Sequence, residues 1–110
     1  MRLFRPLRVQ SVIQEELNKL ILKEVNFPEK TLVTISRVDV SSDLTNAKIG
    51  ISVIPGERGD EVLEILKNKR GQLQYFLNKK MNIKPMPRIE FVRDFGLEKA
   101  ADIERLLKEN

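Results

Sequence analysis

Apolar side chains recur along this chain with two different periods, and the switches between them mark its elements. Over residues 6–26, Val9, Ile13, Leu17, Leu20, Ile21 and Val25 fall three or four apart, the spacing of one face of an amphipathic helix. Pro6 is compatible with a first helical turn, where its missing donor is not needed, and Asn26 before Phe27-Pro28 supplies the stop. Such a stripe reads as core packing. Residues 32–42 and 46–54 then read as strands. In the second, Ala47, Ile49, Ile51 and Val53 alternate with Lys48, Gly50 and Ser52, a period of two with one buried face. In the first, the apolar phase slips between Ile35 and Val38, which predicts a bulge or a change of facing near Arg37. The short polar link from Ser41 to Thr45 suits a hairpin, so the pair is expected to be antiparallel.

Pro55-Gly56 ends the second strand, and helical spacing returns over residues 58–70 through Val62, Leu63, Ile65 and Leu66. Gly71 interrupts, and Leu73, Phe76, Leu77 and Met81 resume the pattern. A glycine inside a helix costs about 1 kcal/mol relative to alanine. The expectation is therefore two shorter helices meeting at a tight corner, Lys69-Arg70-Gly71. Pro85 and Pro87 stop the second of them. A third strand follows over 88–94, with Ile89 and Phe91 on one face, and a charged terminal helix over 97–109. The order helix, strand, strand, helix, helix, strand, helix predicts an α+β fold. The two-helix crossover favours a third strand parallel to its neighbour, hence a mixed three-stranded sheet with helices on one face. No repeat or linker marks a second domain, so residues 1–110 are expected to form one unit, with 1–5 a loose arm.

Composition narrows the chemistry. The chain has 110 residues and no Cys or His, which removes thiol nucleophiles, thiolate or imidazole metal sites, and His-based triads. No phosphate loop, nucleophile–base pair or metal cluster appears, so neither a catalytic site, a metal nor a cofactor is expected. The paired acids Glu15-Glu16 and Asp60-Glu61 read as solvated helix positions. No uncharged stretch approaches the ~20 residues of a membrane span, and the N-terminal arginines are not followed by an apolar signal block.

Charge changes the picture more. The net charge is only +4, yet residues 1–14 hold Arg2, Arg5 and Arg8 with no acid. Residues 65–88 hold Lys67, Lys69, Arg70, Lys79, Lys80, Lys84 and Arg88, again with no acid. Segregation of this kind suits a polyanion, nucleic acid ahead of a membrane surface, although a merely solvated basic face has the same pattern. Aromatics are 5% of the chain, so phosphate contacts rather than stacking would dominate.

The hairpin residues Ile35, Val38, Asp39, Val40, Ser41, Asp43, Leu44, Ala47 and Ile49 together form a long pattern. With Arg8-Val9, with Pro87, Ile89, Phe91 and Asp94, and with Gly96, Glu98, Ile103, Leu106 and Leu107, it resembles the ribosome-binding factor A family over nearly the whole chain. The resemblance implies a type II KH-like domain, acting in the cytoplasm, that binds the immature small ribosomal subunit and its rRNA and assists subunit assembly and rRNA processing; a monomer is expected separately, because every large apolar residue can be assigned to one core and no patch is left to self-associate. It implies no membrane or small-molecule partner. Ser41 and Asp43 also have a plain reading as turn formers. KH domains that grip single strands carry Gly-x-x-Gly between paired helices. The family has Ala-x-Gly there, and this chain has Lys69-Arg70-Gly71.

The candidate RNA-binding residues are accordingly Lys67, Lys69, Arg70, Gly71, Gln72, Tyr75, Lys79 and Lys84, with Arg2, Arg5 and Arg8 as a secondary basic arm. Gly71 would let a phosphate approach, and a helix starting there would aim free N–H groups at it. Lys69 also reads as a tolerated residue at the core edge, its stem snorkelling. Two other readings stay open: a generic KH-like single-strand binder with no ribosomal role, and an adaptor whose basic surface meets an acidic protein.

Overall fold

Two amphipathic helices lie on one face of a three-stranded sheet. The computed structural model describes residues 5–96 and 106–107. The elements are α1 (Arg5–Glu24), β1 (Leu32–Val40), β2 (Asn46–Ile54), a 3-10 turn (Gly56–Arg58), α2 (Gly59–Lys80) and β3 (Arg88–Arg93). The terminal helix expected over 97–109 and the loose arm over 1–5 lie almost wholly outside the described residues, except that Arg5 already belongs to α1.

The sheet order is β1-β2-β3, with β1 antiparallel and β3 parallel to the central β2. The mixed sheet follows from connection length: five residues close the hairpin, whereas β3 is reached only after α2 crosses back. The predicted slip is present. Ile35 pairs with Ile51 and Arg37 with Gly50, so Ser36 is the extra residue of a bulge. Its hydroxyl donates to Asp94 (2.5 Å) and lies 3.1 Å from the Gly50 carbonyl, tying β1 across β2 to the end of β3. The Asp94 carboxyl is held below its ordinary value, chiefly by that hydroxyl.

The hairpin corner is built as its residue types imply. Asp43 Oδ1 accepts from the Ser41 hydroxyl (2.7 Å), the Thr45 hydroxyl (2.7 Å) and the Thr45 N–H (3.1 Å). Those donors, Ser41 foremost, hold its carboxyl down at about 2. Leu44 sits in the left-handed region at φ 62°, uncommon for a non-glycine residue, and is buried. The turn thus delivers an apolar side chain to the core from a position where Asn or Gly would be conformationally easier.

The core joins Ile13 and Leu17 of α1, Ile49, Ile51 and Val53 of β2, Val62, Leu66, Leu73 and Leu77 of α2, and Ile89 and Phe91 of β3. Glutamines face both edge strands, two at β1 and one at β3. Gln10 Oε1 accepts from the Val40 N–H (3.1 Å) and Gln14 donates to the Ile35 carbonyl (3.3 Å). Gln74 accepts from the Ile89 N–H (2.8 Å) and donates to the Pro87 carbonyl (3.1 Å). Side-chain amides from the helices therefore satisfy backbone groups that the sheet leaves open.

The expected corner at Lys69-Arg70-Gly71 is absent. α2 is a single 22-residue helix running through Gly71. The reason is register. Leu66 and Leu73 are seven residues apart, two helical turns, and both are fully buried with Val62 and Leu77. Burying a leucine contributes roughly 1.5–3 kcal/mol, so seating these side chains on one sheet outweighs a glycine penalty of about 1 kcal/mol. Asp60 and Glu61 in the first turn and Lys79 and Lys80 in the last match the helix dipole. At its start, Arg93 pairs with Asp60 (3.1 Å) and donates to the Gly56 carbonyl. Gly59 makes room for that guanidinium, since a Cβ there would collide with it.

Candidate nucleic-acid interface

Continuity of α2 changes what its basic residues can do together. No helix begins at Gly71, so the N–H groups expected there to face phosphate lie inside the helix, where main-chain bonding uses them. Gly71 is exposed, and a Cβ on it would meet nothing within 4 Å. Lys69 and Arg70 do not converge either. Successive helical residues turn by about 100°, which puts these two on opposite flanks of the buried Val62–Leu66–Leu73–Leu77 stripe. Both are half-buried there. The snorkelling read for Lys69 fits this position. Its ammonium donates to Gln72 Oε1 at 3.4 Å.

Arg70 turns toward β3. It lines a groove of about 390 Å³ with Asn46, Arg88, Ile89 and Glu90, at the point where β2 and β3 begin side by side. Asn46 pairs with Arg88 across the two strands, and Arg88 is exposed. This flank carries two guanidiniums, one carboxylate and more polar than apolar surface.

The other flank adjoins α1. A groove of about 330 Å³ runs between the helices, lined by Lys19, Leu20, Lys23, Glu24, Phe76, Lys79 and Lys80. Glu16 holds Lys80 at 2.9 Å and Lys19 at 3.7 Å, and Lys19 also meets Glu15 at 3.5 Å. Glu16 is thus a partly covered ion-pair centre, unlike the solvated acid expected, with its carboxyl lowered first by the Lys80 hydrogen bond. Among the described residues no carboxylate oxygen lies within 4 Å of Lys23 or Lys79. Lys79 sits 4.8 Å from the centre of the Tyr75 ring, and that ring meets Phe76 edge-on at 5.8 Å.

The remaining candidates are spread out. Lys67, Gln72 and Lys84 are exposed, and Tyr75 is 53% exposed on the solvent side of α2. Arg8 is exposed on α1, roughly 22 Å along the helix from Lys23 at 1.5 Å per residue, so it joins neither groove. Arg2 and the Arg5 side chain lie outside the described residues. Sequence reasoning passed over Lys19, Lys23 and Arg88. The first two share a face of α1, four residues apart, but nothing in the sequence states that this face borders α2. Arg88 was visible in the acid-free run, yet only the parallel pairing brings it to Arg70.

A helix, an antiparallel hairpin and a long helix returning to a parallel third strand, with basic grooves on both flanks of that helix, define a small α+β domain with a mixed three-stranded sheet. The family model for ribosome-binding factor A matches residues 5–107, and the chain belongs to that family. Ribosome-binding factor A of Burkholderia ambifaria is 34% identical over 105 residues, spanning 96% of this chain and 79% of that one. The solution NMR structure of a Thermotoga maritima protein taken for a ribosome binding factor A superposes with a TM-score of 0.69 at 31% identity, covering 84% of this chain and 90% of that one. A Thermus thermophilus ribosome binding factor A, fitted as a homology model into a cryo-EM map of a 30S complex, gives a TM-score of 0.63 at 19% identity, over 77% of this chain and 90% of that one. At that identity it speaks for the fold.

Proposed function

We propose that this protein binds the small ribosomal subunit during its maturation and contacts rRNA through the basic flanks of α2, assisting subunit assembly and rRNA processing. Family membership across residues 5–107 carries the reading. The acid-free basic run over 65–88 supports phosphate as the group recognised. Arg70 and Arg88 supply forked donors suited to phosphate oxygens, and Lys67, Lys79 and Lys84 add point charges. Such contacts set position and orientation on the RNA and carry no sequence code, so shape and neighbouring ribosomal proteins provide selectivity. The protein acts in the cytoplasm as a monomer with no cofactor and no catalytic step.

Gradient fractionation of cell extract tests this. The protein is expected to travel with the immature small-subunit peak and to leave it as salt rises. If it stays at the top of the gradient at low salt, the ribosomal reading fails. If purified protein instead holds free single strands as tightly as particles, the generic KH-like reading takes its place.

A further inference from the structure

We infer that the groove between α1 and α2 is a seat for one unpaired RNA nucleotide. Its base lies against Leu20 and Phe76, and its flanking phosphates meet Lys23 and Lys79. This deepens the proposed function and rests on it for the source of the RNA. The β3 flank offers guanidiniums on a polar surface, whereas the α1 flank combines an apolar floor with a lysine rim. Leu20 is buried and Phe76 half-buried, so the floor is a packed part of the core edge rather than a loose side chain. The rim is divided between engaged and available charges. Lys19 and Lys80 are held by Glu15 and Glu16, while Lys23 and Lys79 have no carboxylate within 4 Å among the described residues. Lys79 is positioned over the Tyr75 ring, which limits its wandering at little cost in solvation.

The lining also holds Glu24, so with Glu15 and Glu16 on Lys19 and Lys80 the four lysines meet three acids, a net +1 that still favours an anion. A rim whose cations are all lysines favours nucleic acid over an acidic protein, since lysine is depleted at protein–protein interfaces but binds phosphate as a point charge. An aromatic floor suits a base, because every base has a face that stacks on an aromatic ring. A paired base has its faces occupied by neighbours, so an unpaired nucleotide is the form that fits.

The experiment is an NMR titration of the full chain with an adenosine ribonucleotide octamer, with an RNA duplex and an octamer of glutamate as separate probes. The single strand should shift the amides of Leu20, Lys23, Phe76 and Lys79 more than those of Arg70 and Arg88. The double variant K23A/K79A should bind it roughly tenfold more weakly, with the log–log salt slope lower by about 1.4, at 0.7 per contact. Phe76→Leu should weaken binding by roughly fivefold or more while leaving that slope unchanged, the signature of lost stacking rather than lost charge. Circular dichroism establishes that both variants fold. Equal occupation of the groove by the duplex, or by the glutamate octamer, overturns the inference, as do shifts confined to the Arg70–Arg88 side. Co-sedimentation with small subunits is measured beside it. A groove that ignores the single strand in a protein that still sediments sinks the inference and spares the proposed function. A groove that takes the single strand in a protein that never sediments does the reverse.

Discussion

The two flanks of α2 draw on one basic run and make different surfaces from it. On the β3 side Arg70 and Arg88 stand over the start of two parallel strands, with Asn46 and Glu90 beside them. On the α1 side lysines from both helices surround Leu20 and Phe76. The first is a polar shelf suited to holding a backbone. The second has an apolar floor and a partly self-neutralised rim. Net charge distinguishes them poorly. What separates them is which neighbour each flank has: a strand edge presents alternate polar residues, whereas a second helix presents the margin of its own apolar stripe.

The largest expected effect removes the partition itself. Leu73→Ala should cost about 2–5 kcal/mol of stability, since Leu73 is fully buried just past Gly71 and anchors the half of α2 that carries Phe76 and Lys79. Urea melts measure it, and a change below about 0.5 kcal/mol would mean the helix does not pack continuously across the sheet. Next, the double variants R70A/R88A and K23A/K79A should each lower the salt slope for small-subunit binding by about 1.4–1.8, at 0.7–0.9 per contact. They should differ on free RNA. Loss at the arginine pair should be the same for duplex and single strand, and loss at the lysine pair larger for the single strand. Replacing Arg2, Arg5 and Arg8 together by alanine should matter less than either pair. If it matters more, neither flank is the main surface.

Gly71→Ala is a smaller test with a decisive sign. An exposed helix interior with open space at the Cβ should gain about 0.5–1 kcal/mol. A loss would restore a corner at that point. The smallest effect concerns acid. Asp43, held at about 2, and Asp94 and Glu16, also lowered, resist protons that the unfolded chain accepts at ordinary carboxylate values. The unfolded state then binds more protons, so stability present at neutral pH drains away as pH falls from about 4 toward 2. Asp43→Asn should flatten that decline in melts at stepped pH. An unchanged decline would assign the acid sensitivity to the other two carboxyls.

Much of the fold was legible because it rests on local chemistry. Ala47, Ile49, Ile51 and Val53 of β2 are buried as their alternation implies, but Gly50 and Ser52 between them are buried too, so burial is not confined to one face there. The slip beside Arg37 is the bulge at Ser36, and Asp43 does turn-forming work. The corner at Gly71 was misread because a glycine is a local signal, and its cost was weighed against nothing. The correcting sign was also in the sequence: Leu66 and Leu73 keep helical phase across the glycine. Its weight, however, depended on a sheet lying beneath both.

The sequence by itself therefore determined the elements, the antiparallel hairpin, the parallel return of β3 and the presence of a concentrated basic run. Each follows from periodicity, turn chemistry or charge count, which act over a few residues. Only the tertiary structure decided that Lys69 and Arg70 part company, that Arg88 joins Arg70, and that Lys19 and Lys23 of α1 meet Lys79 and Lys80 of α2 around a shared apolar floor. Those are relations between elements remote in the chain. They are set by which helix face the core claims, and charge, which has no period of its own here, is carried wherever that burial leaves it.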